Sequence, residues 1–168
     1  MQKKQIIIGI AVVALLGGWY AFRPERIFIN QTVNESLAST VQQAGATAAP
    51  AIVSIESGDF HSVHHETTGT ATIYRRPDGT RLLRFTKFAT SNGPDVRIYF
   101  VAAPDATDNA TVKQAGFIEL GPMKGNQGDQ NYEVPATIDL AKYRAVTIWC
   151  RRFDVNFATA PLKTSSTT

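Results

Sequence analysis

The stretch Val146-Thr147-Ile148-Trp149-Cys150-Arg151-Arg152-Phe153 decides the fold. Val146, Ile148 and Cys150 alternate with Thr147, Trp149 and Arg151, which is the two-residue period of a half-buried β-strand. This places the thiol on the apolar face, toward the core. Arg152 would follow it there if the strand ran on, and a sealed core does not accept an unpaired cation. The strand therefore bends after Cys150, or its face opens into a pocket at that end. Cys150 is also the only cysteine in the chain. It cannot form an internal disulfide, so it is a small buried hydrophobe, a reactive thiol or a ligand.

The same short-strand pattern extends outward from this point. Ala51–Ile55 reads as a strand stopped by Ser57-Gly58-Asp59, and Gly69–Tyr74 alternates Gly69, Ala71 and Ile73 with Thr70, Thr72 and Tyr74. Arg75–Thr80 has Pro77 and Asp78-Gly79 in hairpin-turn positions,. Arg81–Phe88 returns, Thr90–Pro94 turns, and Asp95–Val101 puts Val96, Ile98 and Phe100 on one face. Ala102–Asn109 reads as a polar loop, Phe117–Leu120 as a short apolar piece, Gly121–Gln130 as a long loop and Tyr132–Val134 as a brief strand. A helical turn capped by Asp139 is predicted over Asp139–Tyr143. Val155–Ala160 closes the domain. Many short strands with regular punctuation and no long amphipathic helix predict an all-β domain, an antiparallel sandwich or barrel.

The amino end differs. Ile6–Phe22 is an uncharged apolar run, at the short end of what crosses a bilayer, with Trp19 and Tyr20 near its outer end,. A cleaved secretory signal competes with an uncleaved anchor. The bulky residues after Gly17-Gly18 supply no small-x-small cleavage site, so the anchor fits better. The reading divides the chain into a transmembrane anchor over 1–23, a flexible stalk over 24–50, a β domain over 51–163 and a disordered tail over 164–168. Lys3 and Lys4 predict a cytoplasmic amino end, with the folded domain outside the cytoplasm, periplasmic or extracellular.

Charge excludes one class of partner. Residues 1–50 carry four basic groups against two acidic ones, a net of +2, while residues 51–168 carry 13 against 12, a net of +1. The folded part has no concentrated basic face of the kind nucleic acid requires.

His61, His64 and His65 cluster just before the Gly69 strand, and with Cys150 they could supply nitrogen and sulfur ligands to a transition metal or haem iron,. The alternative is that they are solvated loop residues. No phosphate loop, zinc-finger spacing or nucleophile elbow is present. Asn126 and Asp129 could ligate calcium, but turn formation is the preferred reading of Lys124–Gln130.

Several motifs in order resemble the DM13 family, described as an electron-transfer domain. They are Gly58-Asp59-Phe60-His61, His65–Ala71, Leu83-Arg84-Phe85, Thr90–Val96, Leu120-Gly121 with Lys124-Gly125-Asn126, Asp129–Tyr132, and Ile148-Trp149-Cys150 with Phe153 and Phe157. The resemblance runs from about Ile55 to Leu162. It implies that Cys150 is the hallmark cysteine, acting as a bare redox thiol or as a ligand to a prosthetic group such as haem or another metal centre. It implies His65 as the second site residue. A neighbouring Arg151 or Arg152 would favour the thiolate. The implied function is extracytoplasmic redox or electron transfer with an unidentified redox partner protein. The alternative is a non-enzymatic binding or adhesion module in which Cys150 is structural.

Overall fold

The structure, a computed structural model, describes residues 2–22, 29–37 and 52–165. The domain is a sandwich of two five-stranded antiparallel sheets. One sheet has the order β10-β1-β3-β4-β7 and the other β2-β9-β8-β5-β6. The strands are β1 Val53–Asp59, β2 His61–Ser62, β3 Thr68–Arg75, β4 Arg81–Ala89, β5 Val96–Val101, β6 Phe117–Pro122, β7 Gln127–Val134, β8 Ala145–Cys150, β9 Val155–Pro161 and β10 Lys163–Thr164. The all-β expectation holds as a sandwich.

The inner faces carry the residues that alternation assigned to the core in β3, β5 and β8, together with Leu83 and Phe85 of β4. Ala71, Ile73, Leu83, Phe85, Ile98, Phe100, Val146, Ile148 and Cys150 are all fully buried in one cluster. Phe88 joins them because a bulge between Phe85 and Phe88 shifts the register of β4 against β7. Lys87 takes a positive φ of 51° within that bulge, and its amide is held by the Asp129 carboxylate at 2.9 Å,.

Five sequence expectations change in the domain. β8 is buried on both faces rather than half-buried. Its outer face lies under the short helix α2, Asn109–Ala115, which together with Tyr99, Val101, Ala106, Val112 and Trp149 makes a second cluster. The sequence there reads as loop because α2 is only two turns long, started by the Asp108 side chain on the Thr111 amide,. β1 continues through Ser57-Gly58-Asp59, where Gly58 lets the backbone approach the Pro161 carbonyl. Most of the predicted Gly121–Gln130 loop belongs to strands β6 and β7. Beyond the predicted end of the domain, Thr164 pairs with Glu56, and the Ser165 amide bonds the Ile55 carbonyl.

The single turn at 139–143 is present: the Tyr143 amide bonds the Asp139 carbonyl, and the Asp139 side chain accepts from the Ala141 amide.

Residues 29–37, inside the stretch read as a stalk, lie along the outer edge of β7. Thr32 forms a parallel bridge with Gln127, and the Val33 and Glu35 amides bond the Gln127 and Asp129 carbonyls at 2.9 Å each. This strap is ordered by side chains too. Glu35 binds Lys124 Nζ at 2.8 Å and the Asn131 amide, and Arg84 donates to the Glu35 carbonyl. The remainder of the expected stalk lies outside the described residues, as does the end of the tail.

Ahead of the domain, α1 spans Gln2–Phe22 and is long and apolar enough to cross a membrane; a signal sequence would meet the same criterion. None of its 3–20 window is buried against the protein.

Candidate functional site

Cys150 is the last residue of β8, paired with Val96 of β5 and Val155 of β9. It is fully buried. The chain then leaves the sheet in the turn 151–154, closed by a bond from the Asp154 amide to the Cys150 carbonyl at 2.8 Å, with Asp154 at φ 61°. The strand thus bends at the position the Arg152 argument required, and Arg151 and Arg152 are both exposed. Arg151 turns outward onto Asp95 at 2.8 Å and Glu119 at 3.7 Å. Asp95 also receives Arg97. Burial raises the Asp95 carboxyl, but the hydrogen bonds from Arg97 and Arg151 outweigh it and hold the group below the usual carboxylate range,. The charge of Arg151 is therefore shared among carboxylates and is not a lone cation facing the sulfur.

Gly93 covers the thiol. A Cβ at Gly93 would sit 2.7 Å from Val96 Cγ2, 3.1 Å from Phe157 Cζ and 3.6 Å from Cys150 Sγ. The glycine is required by close approach: its backbone lies where any side chain would enter the core. Its neighbour Asn92 donates to the Ile29 carbonyl at 2.9 Å, so the strap and the cover of Cys150 are joined.

The histidines are held apart in function. His61 Nε2 pairs with Asp105 Oδ1 at 2.7 Å, and His64 Nδ1 meets the Asn156 carbonyl at 2.9 Å. His65 stacks on Phe157 with ring centroids 3.7 Å apart. The loop is fixed by one acceptor: the amides of Val63, His64 and His65 all converge on the Phe157 carbonyl. Desolvation, with a smaller contribution from His64, lowers the His65 pKa below its ordinary value. Phe157 is thus common to both expected site residues. Its ring carries His65, and its Cζ reaches the Gly93 position above Cys150.

Among the described residues, no three His, Cys, Asp or Glu side chains gather as a metal centre. A macrocycle ligated by Cys150 would need the space that Gly93, Val96 and Phe157 fill, so the residues present do not fit haem. A groove of about 750 Å³ lies on the far side of Gly93, lined by residues of the strap, the Asn92–Arg97 segment and the Pro122–Asn126 loop; neither Cys150 nor His65 lines it. Asn126 is spent within the fold, donating to Asn30 Oδ1 and the Thr90 carbonyl, and Asp129 pairs with Arg84. Neither is left to hold calcium, and the turn reading of this loop gives way to a strand from Gln127 onward.

The model of the family "Electron transfer DM13" matches residues 59–162. The chain belongs to the DM13 family. The match covers every strand from β2 to β9, and it includes Cys150, Gly93, Phe157 and the three histidines. No curated protein and no solved structure matches the chain. Sequence reasoning missed the roles of Gly93 and Phe157 in this DM13 domain, although both fall in quoted motifs. The signal was the glycine held between Asn92 and Pro94, a residue that serves close approach of the backbone as well as turns,.

Proposed function

We propose that this DM13 domain sits outside the cytoplasm on an uncleaved membrane anchor and passes redox equivalents through Cys150 to a partner redox protein. The observation that carries the reading is the packing of Cys150. The chain's single thiol lies at a strand end, packed with Val96 and Phe157 against Gly93, which has no side chain, and Phe157 in turn carries the His65 ring. The family description supports a redox role. The bare-thiol form agrees best with the close packing around the sulfur. Cys150 gives up its proton and bonds one sulfur of a partner disulfide, and the partner's second sulfur leaves as a thiolate. With no second cysteine in the chain, a thiol of a second, dithiol-bearing protein attacks the Cys150 sulfur and releases the first partner as a dithiol; its other thiol then displaces the Cys150 thiolate and closes that protein's disulfide,. His65, whose ring lies on Phe157, is the group proposed to take up the Cys150 proton. Access requires the Gly93 segment to lift, a local opening rather than global unfolding.

Full burial of Cys150 also favours a second reading, a binding module with a structural cysteine,. Thiol modification of the native full chain, followed alongside its redox titration and absorption spectrum, separates the two. The redox reading expects Cys150 to react in the folded state and the redox couple to vanish in Cys150→Ser. A thiol that reacts only on global unfolding, with redox behaviour unchanged in the variant, leaves the binding module.

A further inference from the structure

The turn between β8 and β9 carries the most exposed large apolar side chain of the domain. Phe153 is 64% exposed, and the next, Ile29 of the strap, is 62% exposed. Phe117, by contrast, is stacked flat on Tyr99 at 4.2 Å. Phe153 follows Arg151 and Arg152, both exposed. The carboxylates nearby are Asp95 and Glu119, which hold Arg151, and Asp154, which pairs with Lys113.

Phe153 and Ile29 share one end of the sandwich. The Arg151 amide bonds the Asp95 carbonyl, and Asn92, three residues earlier, holds the Ile29 carbonyl. This is the end at which the chain arrives from α1. Only residues 23–28 separate Phe22 from the strap. Fully extended, that link reaches at most about 25 Å. A domain of this size is roughly 35 Å across, from the usual radius of gyration. The strap is therefore too close to the anchor for the domain to stand away from the bilayer on a long stalk.

We infer that this end of the sandwich rests on the membrane that α1 enters, with Phe153 as an apolar tip in the phospholipid headgroup zone and Arg151 and Arg152 beside the phosphates. An aromatic preceded by two arginines is a composition that suits that zone,. The inference rests on α1 being retained as an anchor, and it is independent of any role of Cys150.

The test uses the full chain in phosphatidylcholine vesicles containing a minority of phosphatidylglycerol. A fluorophore is placed at Arg152→Cys, or at Ala141→Cys on the opposite end, each in a Cys150→Ala background so that only the introduced thiol is labelled. Quenching by a nitroxide carried on the lipid headgroup is then read. A tip seated roughly 5–10 Å into the interface predicts at least about twofold stronger quenching at position 152 than at 141. Adding Phe153→Ser, or lengthening the link within 23–28 by a Gly/Ser insertion, should erase most of that difference. Equal quenching at the two ends, in a chain that stays with the vesicles, overturns the inference and leaves the anchor intact. Quenching at position 152 that ignores Phe153→Ser overturns the role of the tip. A chain released from the vesicles shows instead that α1 is not an anchor, and both readings fall.

Discussion

The imidazole of His65 lies on the ring of Phe157 with centroids 3.7 Å apart and planes inclined by 34°. Burial against this ring disfavours the charged imidazolium and lowers the pKa from its ordinary 6.5, with the neighbouring His64 adding to the effect,. The sign follows from linkage. Below pH 6.5 the unfolded chain takes up a proton that the folded state refuses, so this residue's contribution falls as pH drops from 6.5 toward the folded pKa, and it is constant above 6.5,. Urea unfolding across that window should show the wild type losing stability relative to His65→Phe, which keeps a ring on Phe157 but does not titrate. Parallel profiles for the two proteins would contradict the burial of this imidazole. The paired carboxylates Glu35 and Asp95, held low in the folded state, act in a separate, more acidic range.

Gly93→Ala tests the cover of the thiol. The new methyl would meet Val96 Cγ2 at 2.7 Å and Phe157 Cζ at 3.1 Å. Overpacking of this kind costs about 1–3 kcal/mol. The melting temperature should fall by several degrees, and native-state modification of Cys150 should become faster as the segment is pushed outward. An unchanged modification rate would separate Gly93 from access to the sulfur.

Cys150→Ser replaces a weakly polar thiol with a hydroxyl inside an apolar cluster. The cost of an unsatisfied buried hydroxyl is about 1–3 kcal/mol. Cys150→Ala leaves only a small cavity and should be milder. Denaturant unfolding of both variants checks the order; a serine variant as stable as the alanine one would mean that the site admits water.

Gly128→Ala tests the strap. Gly128 has φ +92°, and a Cβ there would lie 2.1 Å from the Val33 carbonyl oxygen and 2.8 Å from Asn34 Oδ1. Both the backbone conformation and the contact oppose any side chain. The variant should detach residues 29–37 from β7 while the sandwich stays folded. The readout is faster proteolysis within 29–37, with far-ultraviolet circular dichroism retained. Loss of the whole fold instead would make the strap a full member of the sheet.

Much of the sandwich is legible in the residues themselves. The alternations in β3, β5 and β8 assign Ala71, Ile73, Val96, Ile98, Val146 and Ile148 to the core correctly, because a strand's side chains switch faces every residue,. β7 escapes that logic. Gln127–Asn131 is polar on both faces, yet Gln130 and Asn126 are buried; Gln130 is satisfied by Gly125 and Tyr132, and Asp129 by Arg84. Those partners are what make the segment a strand, and no local pattern announces them. β10 and the strap escape for a related reason: both are short pieces whose hydrogen bonds go to distant edges.

The sequence by itself determined the class of the fold, the inward direction of Cys150 and membership of the DM13 family. Each rests on local periodicity or on motifs in order. Only the tertiary structure decided what lies around the sulfur. It seals Cys150 with Gly93, Val96 and Phe157, sends His61 to Asp105 and His64 to the Asn156 carbonyl, and leaves His65 on Phe157. It also turns part of an expected stalk into an edge strap. The physical reason is one of range: alternation fixes which way a side chain points, whereas its cover and its partners come from segments far away in the chain that only the packed sheets bring together.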